Sequence, residues 1–139
     1  MTIIVTDRQT IERGIVVRGT YAVISVTDPE RPAARIPRAS GCGAVLRLRF
    51  HDAEPFPGFR IPPNIIPTGG ADAEQLARFV REHQGQVDVY VIHCEQGASR
   101  SPAIAAAIAE HLKLDPRPYW QQYVPNRYVY ELVRGRLAT

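Results

Sequence analysis

Lysine is almost missing from this chain. Of 17 basic residues, Lys113 is the only one that is not arginine. Guanidinium is permanently charged and grips oxyanions bidentately, so an arginine excess suits anion recognition. The arginines are strewn from Arg8 to Arg136, however, without the dense block that marks a nucleic-acid arm. No nucleic-acid partner is expected, and the excess reads as compositional bias with one exception, Arg100. Cysteine is equally scarce. Cys42 and Cys94 are too few for a disulfide scaffold. The four histidines, His51, His83, His93 and His111, show no His-x3-His spacing, and no Cys-x2-Cys pair exists. No metal centre is expected.

Long apolar runs are also lacking. A membrane helix needs about 20 apolar residues, and the longest candidate, Ala103–Ala109, meets Glu110 and His111. The opening MTIIVTDRQT has neither the basic flank nor the apolar stretch of a secretory signal. The expectation is a cytoplasmic protein with reduced thiols and no membrane partner. At 139 residues it reads as one domain, 1–139. Chains of this size bury about 70% of their unfolded surface, enough for a core without staples. With 45% hydrophobic and 22% charged residues, disorder is excluded.

Periodicity then gives the class. Short β-branched runs at Thr2–Val5, Tyr21–Val26, Ala44–Phe50 and Val87–His93 read as strands, and longer helical patterns alternate with them. That order predicts an α/β domain with a central, mostly parallel sheet flanked by helices. A weak helix is expected at Asp7–Arg13. A stronger one is expected at Ala71–Gln84, with Leu76, Phe79 and Val80 on one face and Arg78, Arg81 and Glu82 on the other. Pro102 in a first turn, followed by an alanine-rich stretch to Leu112, gives the most secure helix, ending near Asp115-Pro116. Two more are expected at Arg117–Tyr123 and Asn126–Leu137, the latter capped by Asn126 and burying Val129, Leu132, Val133 and Leu137. Two long loops remain, Thr27–Gly43 and the proline-rich Asp52–Gly70. Long ordered loops in small domains are often functional.

Chemistry concentrates in VYVIHCEQGASRSPAIAAAIAEHL, residues 89–112. A strand, a tight loop and a helix start place successive N–H groups and a helix dipole around one small volume, which is an anion site. Cys94 stands at its mouth, Gly97 permits the turn, and Arg100 can wrap its fork toward a tetrahedral oxyanion. An ordinary thiol is only about 3% ionised at neutral pH. A nucleophilic cysteine therefore needs the loop N–H donors, the helix dipole, a hydroxyl such as that of Ser101 and a nearby cation such as Arg100.

HCEQGASRS, residues 93–101, resembles the His-Cys-x5-Arg-Ser/Thr signature of the cysteine-based protein tyrosine phosphatases. The small size and SRSPAIAAAIA resemble the dual-specificity-type branch. The resemblance is strongest over residues 44–112. It implies that Cys94 is a nucleophile forming a phosphocysteine intermediate and that Arg100 binds the substrate phosphate. It further implies that Ser101 helps the thiolate leave and that His93 supports the thiolate. Glu95, Gln96, Gly97, Ala98 and Ser99 would give backbone N–H groups, and neither metal nor cofactor is used. The family also needs an aspartate on a separate loop as general acid. In a parallel sheet Asp7, Asp28, Asp52 and Asp72 could approach the phosphate loop, whereas Asp115 lies at the opposite edge. Asp52, directly after the strand in LRFHDAEP, is the first choice, and Asp72 is the alternative, with helix capping as its other reading. The gap of 42 residues from Asp52 to Cys94 is accommodated by the proline-rich segment.

Three functions fit these residues: a phosphatase, a silent phosphate-binding module, and a sulfur-transfer or arsenate-reducing enzyme. The loop spacing and its position in the chain favour the phosphatase. The expected substrate is a phosphorylated protein or a small phosphorylated compound, with phosphotyrosine ahead of phosphoserine and phosphothreonine. The loop carries no lysine, which lowers the case for a polyanionic lipid headgroup. Cys42 is expected to be incidental, with an oxidation partner for Cys94 as the other reading. Arg31, Arg35 and Arg38 read as a solvated loop, and Tyr119, Trp120, Tyr123, Tyr128 and Tyr130 as packing aromatics.

Overall fold

Four apolar runs assemble into one all-parallel sheet in the computed structural model, which describes residues 1–139. The strands are β1 (Thr2–Asp7), β2 (Tyr21–Thr27), β3 (Cys42–Arg49) and β4 (Val89–Cys94), in the order β1-β4-β2-β3. The two central strands are buried throughout, as expected for parallel strands covered on both faces. The edge strand β3 instead alternates, Leu46, Leu48 and Phe50 facing the core while Arg47 and Arg49 face outward. Five helices complete the α/β architecture: α1 (Arg8–Arg13), α2 (Gly70–His83), α3 (Arg100–His111), α4 (Arg117–Gln122) and α5 (Arg127–Leu137).

Side chains that alternate along β2 and β4 feed two cores. Ala22, Ile24, Val26, Tyr90 and Ile92 join residues of α2, α3 and α5 in the larger one. Tyr21, Val23, Val89 and Val91 meet Ile11 of α1 and the partly buried Ile36 of the long loop on the other face. Helix α3 is the hub. Every residue from Arg100 to Ala109 is buried, so its alanines serve close approach to β4, β1 and α5 as well as helix propensity.

Most boundaries moved by one or two residues from the periodicity, and the end of α3 by about four. Strand β1 runs on through Thr6 and Asp7, which pair with His93 and Cys94 of β4; polar residues hid that extension. Asp7 is the N-cap of α1, its Oδ1 2.6 Å from Thr10 N. Asn126 likewise caps α5, and Val129, Val133 and Leu137 form the buried stripe, with Leu132 only partly buried. Helix α3 stops before Asp115, because Lys113 takes a left-handed φ of 60°. Trp120 and Tyr130 pack edge to face at 5.0 Å, and none of the five aromatics of that region is fully buried.

Several arginines that looked compositional have structural work. The loop between β2 and β3 lacks ladder partners, and its carbonyls are taken by guanidinium groups: Arg49 on Pro29, Arg8 on Pro32 and Ala33, Arg47 on Ala34. Unpaired backbone acceptors are costly when buried, and a long donor fork reaches them from neighbouring strands. No helix is long and apolar enough to cross a membrane.

The importance of α3 can be checked by urea denaturation. Ile108→Ala removes a fully buried side chain and should cost about 2–5 kcal/mol. Val124→Ala, at a residue 81% exposed, should stay within about 0.5 kcal/mol. Equal effects would contradict the packing described.

Candidate active site

Parallel strands point their C-terminal ends to one edge, where ligands collect in α/β folds. Here each strand hands a reactive residue to that edge: Asp7 ends β1, Asp28 follows β2, Asp52 follows β3 by three residues, and Cys94 ends β4. A pocket of about 300 Å³ opens there, lined by Asp28, His51, Asp52, Ile65, Cys94 and residues of the loop that follows it, through Arg100.

The sulfur of Cys94, 2% exposed, sits on the N-terminus of α3. Gly97 N donates to it at 3.2 Å and Ser101 N at 3.4 Å, and the Ser101 hydroxyl lies 3.2 Å away. Ser99 is the N-cap residue but makes no side-chain cap bond, so the first-turn N–H groups are left for the sulfur and an anion. The loop is turned the right way round by its carbonyls. Glu95 O accepts from Arg8 N, Ala98 O from Val124 N, and Ser99 O from Asn126 N. A trans peptide points its N–H away from its carbonyl, so the N–H groups of Gln96, Ser99 and Arg100 turn the other way. Only Gly97 tolerates this course: its φ is +71°, and a Cβ there would lie 2.9 Å from the carbonyl of Thr6.

Arg100 is buried, and both hydrogens of its Nη1 are committed, one to Asp28 Oδ1 and one to Phe50 O, each at 2.7 Å. Nε and Nη2 have no protein partner, and no buried side-chain nitrogen lacks one, so that edge of the fork reaches the pocket. Asp52 is exposed, and its Oδ1 accepts from Ser99 Oγ and from Asn126 Nδ2, both at 2.8 Å. The other aspartates are occupied. Asp72 caps α2 through Gly69 N and Thr68 Oγ1, as its alternative reading held, Asp7 caps α1, and Asp115 pairs with Arg117.

His93 is fully buried on the opposite face of β4. Its Nδ1 lies 3.2 Å from the Cys94 carbonyl, an acceptor, and its Nε2 lies 2.6 Å from Ser25 Oγ, its register partner on β2. A neutral ring protonated at Nδ1 and accepting from Ser25 satisfies both, and burial holds its pKa below the usual histidine value.

Sequence patterns gave no sign of three supporting residues. Asn126, the cap of α5, also donates to Asp52 and to the Ala53 carbonyl, tying the Asp52 loop to that helix. Arg8 and Arg31 both bind the Glu95 carboxylate, so Arg31 is not merely solvated; Arg35 instead reaches Glu12, and Arg38 is exposed. The aim of a side chain across the sheet edge leaves no periodic trace. Cys42 is level with Val89, since both oppose Tyr21. That places it about 16 Å along the sheet from Cys94 at the usual rise per residue, whereas a disulfide needs Cα atoms within about 7 Å. A disulfide between Cys42 and Cys94 is therefore out of reach in this fold. No cluster of metal-ligating side chains occurs.

This is the fold of the small, dual-specificity type of cysteine-based phosphatases. Human DUSP28 is similar over 98% of this chain and 91% of its own, at 15% identity and a TM-score of 0.56. PTPMT1 in complex with PI(5)P matches over 99% and 90%, at 16% identity and a TM-score of 0.55. Human tyrosine phosphatase-like serine/threonine/tyrosine-interacting protein matches over 86% and 78%, at 19% identity and a TM-score of 0.53. No family model matches the chain, and no curated protein matches it in sequence. At such identities the likeness concerns the fold, and function rests on the site.

The buried imidazole has a measurable consequence. Since the folded state holds the His93 pKa down, the unfolded chain takes up the proton first as pH falls below about 6.5. The stability it contributes is complete above that pH and declines below it. Between pH 7.5 and 5.5 the thermal midpoint should fall more for the wild type than for His93→Asn. Parallel declines would contradict the assignment.

Proposed function

We propose that this protein hydrolyses phosphate monoesters through a phosphocysteine intermediate, without metal or cofactor. The observation that carries the reading is the convergence of Gly97 N, Ser101 N and Ser101 Oγ on the Cys94 sulfur, in the pocket that also holds Arg100 and Asp52. A thiolate so held is a ready nucleophile, and the surrounding donors suit a phosphoryl group's equatorial oxygens.

In the first step the Cys94 thiolate attacks phosphorus while the ester P–O bond breaks. Asp52 passes its proton to the departing oxygen. Its Oδ1 is committed to Ser99 and Asn126, which leaves Oδ2 to carry that proton. In the second step Asp52, now a carboxylate, takes a proton from water as that water attacks phosphorus. The P–S bond breaks, and the Ser101 hydroxyl, 3.2 Å from the sulfur, stabilises the returning thiolate. The free edge of Arg100 and the loop N–H groups of Glu95, Gln96, Gly97, Ala98 and Ser99 bind the phosphoryl oxygens. Placement and preformed charge stabilisation supply most of the rate. His93 acts at one remove by fixing the Cys94 carbonyl.

Phosphotyrosine is the favoured substrate, and phosphoserine and phosphothreonine form the broader class. The substrate is a phosphorylated protein or a small phosphorylated compound. A reactive thiol with no disulfide partner in reach suits the reducing cytoplasm.

Turnover of an aryl phosphate in the presence of a chelator tests the reading. Wild type should turn over, and Cys94→Ser should be inactive. Asp52→Asn should lose about 10²–10⁴-fold in kcat and lose the alkaline limb of the pH profile. A folded wild-type protein without turnover from pH 5 to 8 would instead make this a phosphate-binding module.

A further inference from the structure

The pocket is unusually acidic for a phosphate site. Asp28, Asp52 and Glu95 line it against a single guanidinium, that of Arg100, and His51. The cations nearby are already paired. Arg8, buried, spends its nitrogens on Glu12, Glu95 and the Pro32 and Ala33 carbonyls. Arg31, with its side chain 54% exposed, is held by Glu95. The Glu95 carboxylate also accepts from the backbone N–H of Asp28 at 3.1 Å. That bond fixes the turn from which the Asp28 side chain reaches Arg100.

Two consequences follow from the 2.7 Å contact between Asp28 Oδ1 and Arg100 Nη1. It anchors one nitrogen and turns the Nε–Nη2 edge to the pocket, which is one of the two edges able to hold an oxyanion bidentately. It also keeps a negative charge beside the bound phosphate. The reacting phosphoryl group is offset by the loop N–H groups and Arg100. A second anion on the substrate would meet Asp28 and Glu95, and the exposed cation at that rim, Arg31, already shares its charge with Glu95.

Resting on the phosphatase reading, we propose that Asp28 sets both the aim of Arg100 and the charge selectivity of the pocket, making it a site for esters with one phosphate and no second anion beside it.

The two roles separate by substitution, because Asp28→Asn retains an acceptor for Nη1 while removing the charge, whereas Asp28→Ala removes both. The first readout is tungstate binding to the otherwise unaltered protein by calorimetry, which requires no turnover. Asp28→Asn should bind tungstate about three- to tenfold more tightly than wild type, and Asp28→Ala about tenfold more weakly. The second readout is binding of two peptides to Cys94→Ser protein, one with a single phosphotyrosine and one with two adjacent phosphotyrosines. The single phosphate should be preferred by about tenfold, and adding Asp28→Asn should bring that preference to about threefold or less. Unchanged tungstate affinity in both variants, shifts of the same sign, or a preference for the doubly phosphorylated peptide would overturn the proposal. The predicted binding order in a protein without turnover would remove the phosphatase reading and leave the role of Asp28 standing.

Discussion

Everything at the functional edge depends on the course of the five-residue loop between β4 and α3, which turns the carbonyls of Glu95, Ala98 and Ser99 outward. That turn is not stable by itself, since it leaves polar groups unpaired. It is held from outside: Arg8, Val124 and Asn126 take the outward carbonyls, and Gly97 fits against Thr6 where no side chain could. The sulfur of Cys94 then occupies the N-terminus of α3, and the alanine-rich helix keeps that terminus in place by burying Arg100 to Ala109 against the sheet and α5.

A second layer of interactions connects the phosphate loop to the two long loops. Ser99 and Asn126 hold Asp52, so the loop that follows Cys94 also positions that carboxylate, and the last helix takes part through its cap residue. On the other side Glu95 collects Arg8, Arg31 and the backbone of Asp28, and Asp28 returns to Arg100. The loop is thus braced on both flanks by groups far away in the chain. Rigid support of this kind is what oxyanion stabilisation requires, because donors that must reorganise lose their advantage.

The sheet, the helices and the strand–loop–helix that carries Cys94 were legible in the sequence because each has a local signal: β-branched runs, amphipathic spacing, and a cysteine, glycine and arginine at fixed distances. Asp52 was legible through its place just after a strand. Asp28 stood in the right position at the end of β2, but nothing local to TDPERP says that its carboxylate crosses to Arg100. Asn126 announced itself as a cap through its acceptor oxygen, while the use of its amide nitrogen depends on where Asp52 arrives in three dimensions. The arginine excess was read too blandly for the same reason. Arg8, Arg47 and Arg49 satisfy carbonyls of a loop whose path is tertiary, and spacing along the chain carries no record of it.

The account centres on a covalent bond between Cys94 and phosphorus. Rapid acid quench of the protein during turnover of an aryl phosphate, followed by peptide mass analysis, tests it most directly. Ser101→Ala should aid the capture, because its thiolate leaves more slowly. The account predicts one added phosphoryl group on the peptide containing Cys94 and none in Cys94→Ser. Turnover with no phosphoryl group on Cys94 at any quench time, or turnover that persists in Cys94→Ser, would contradict it.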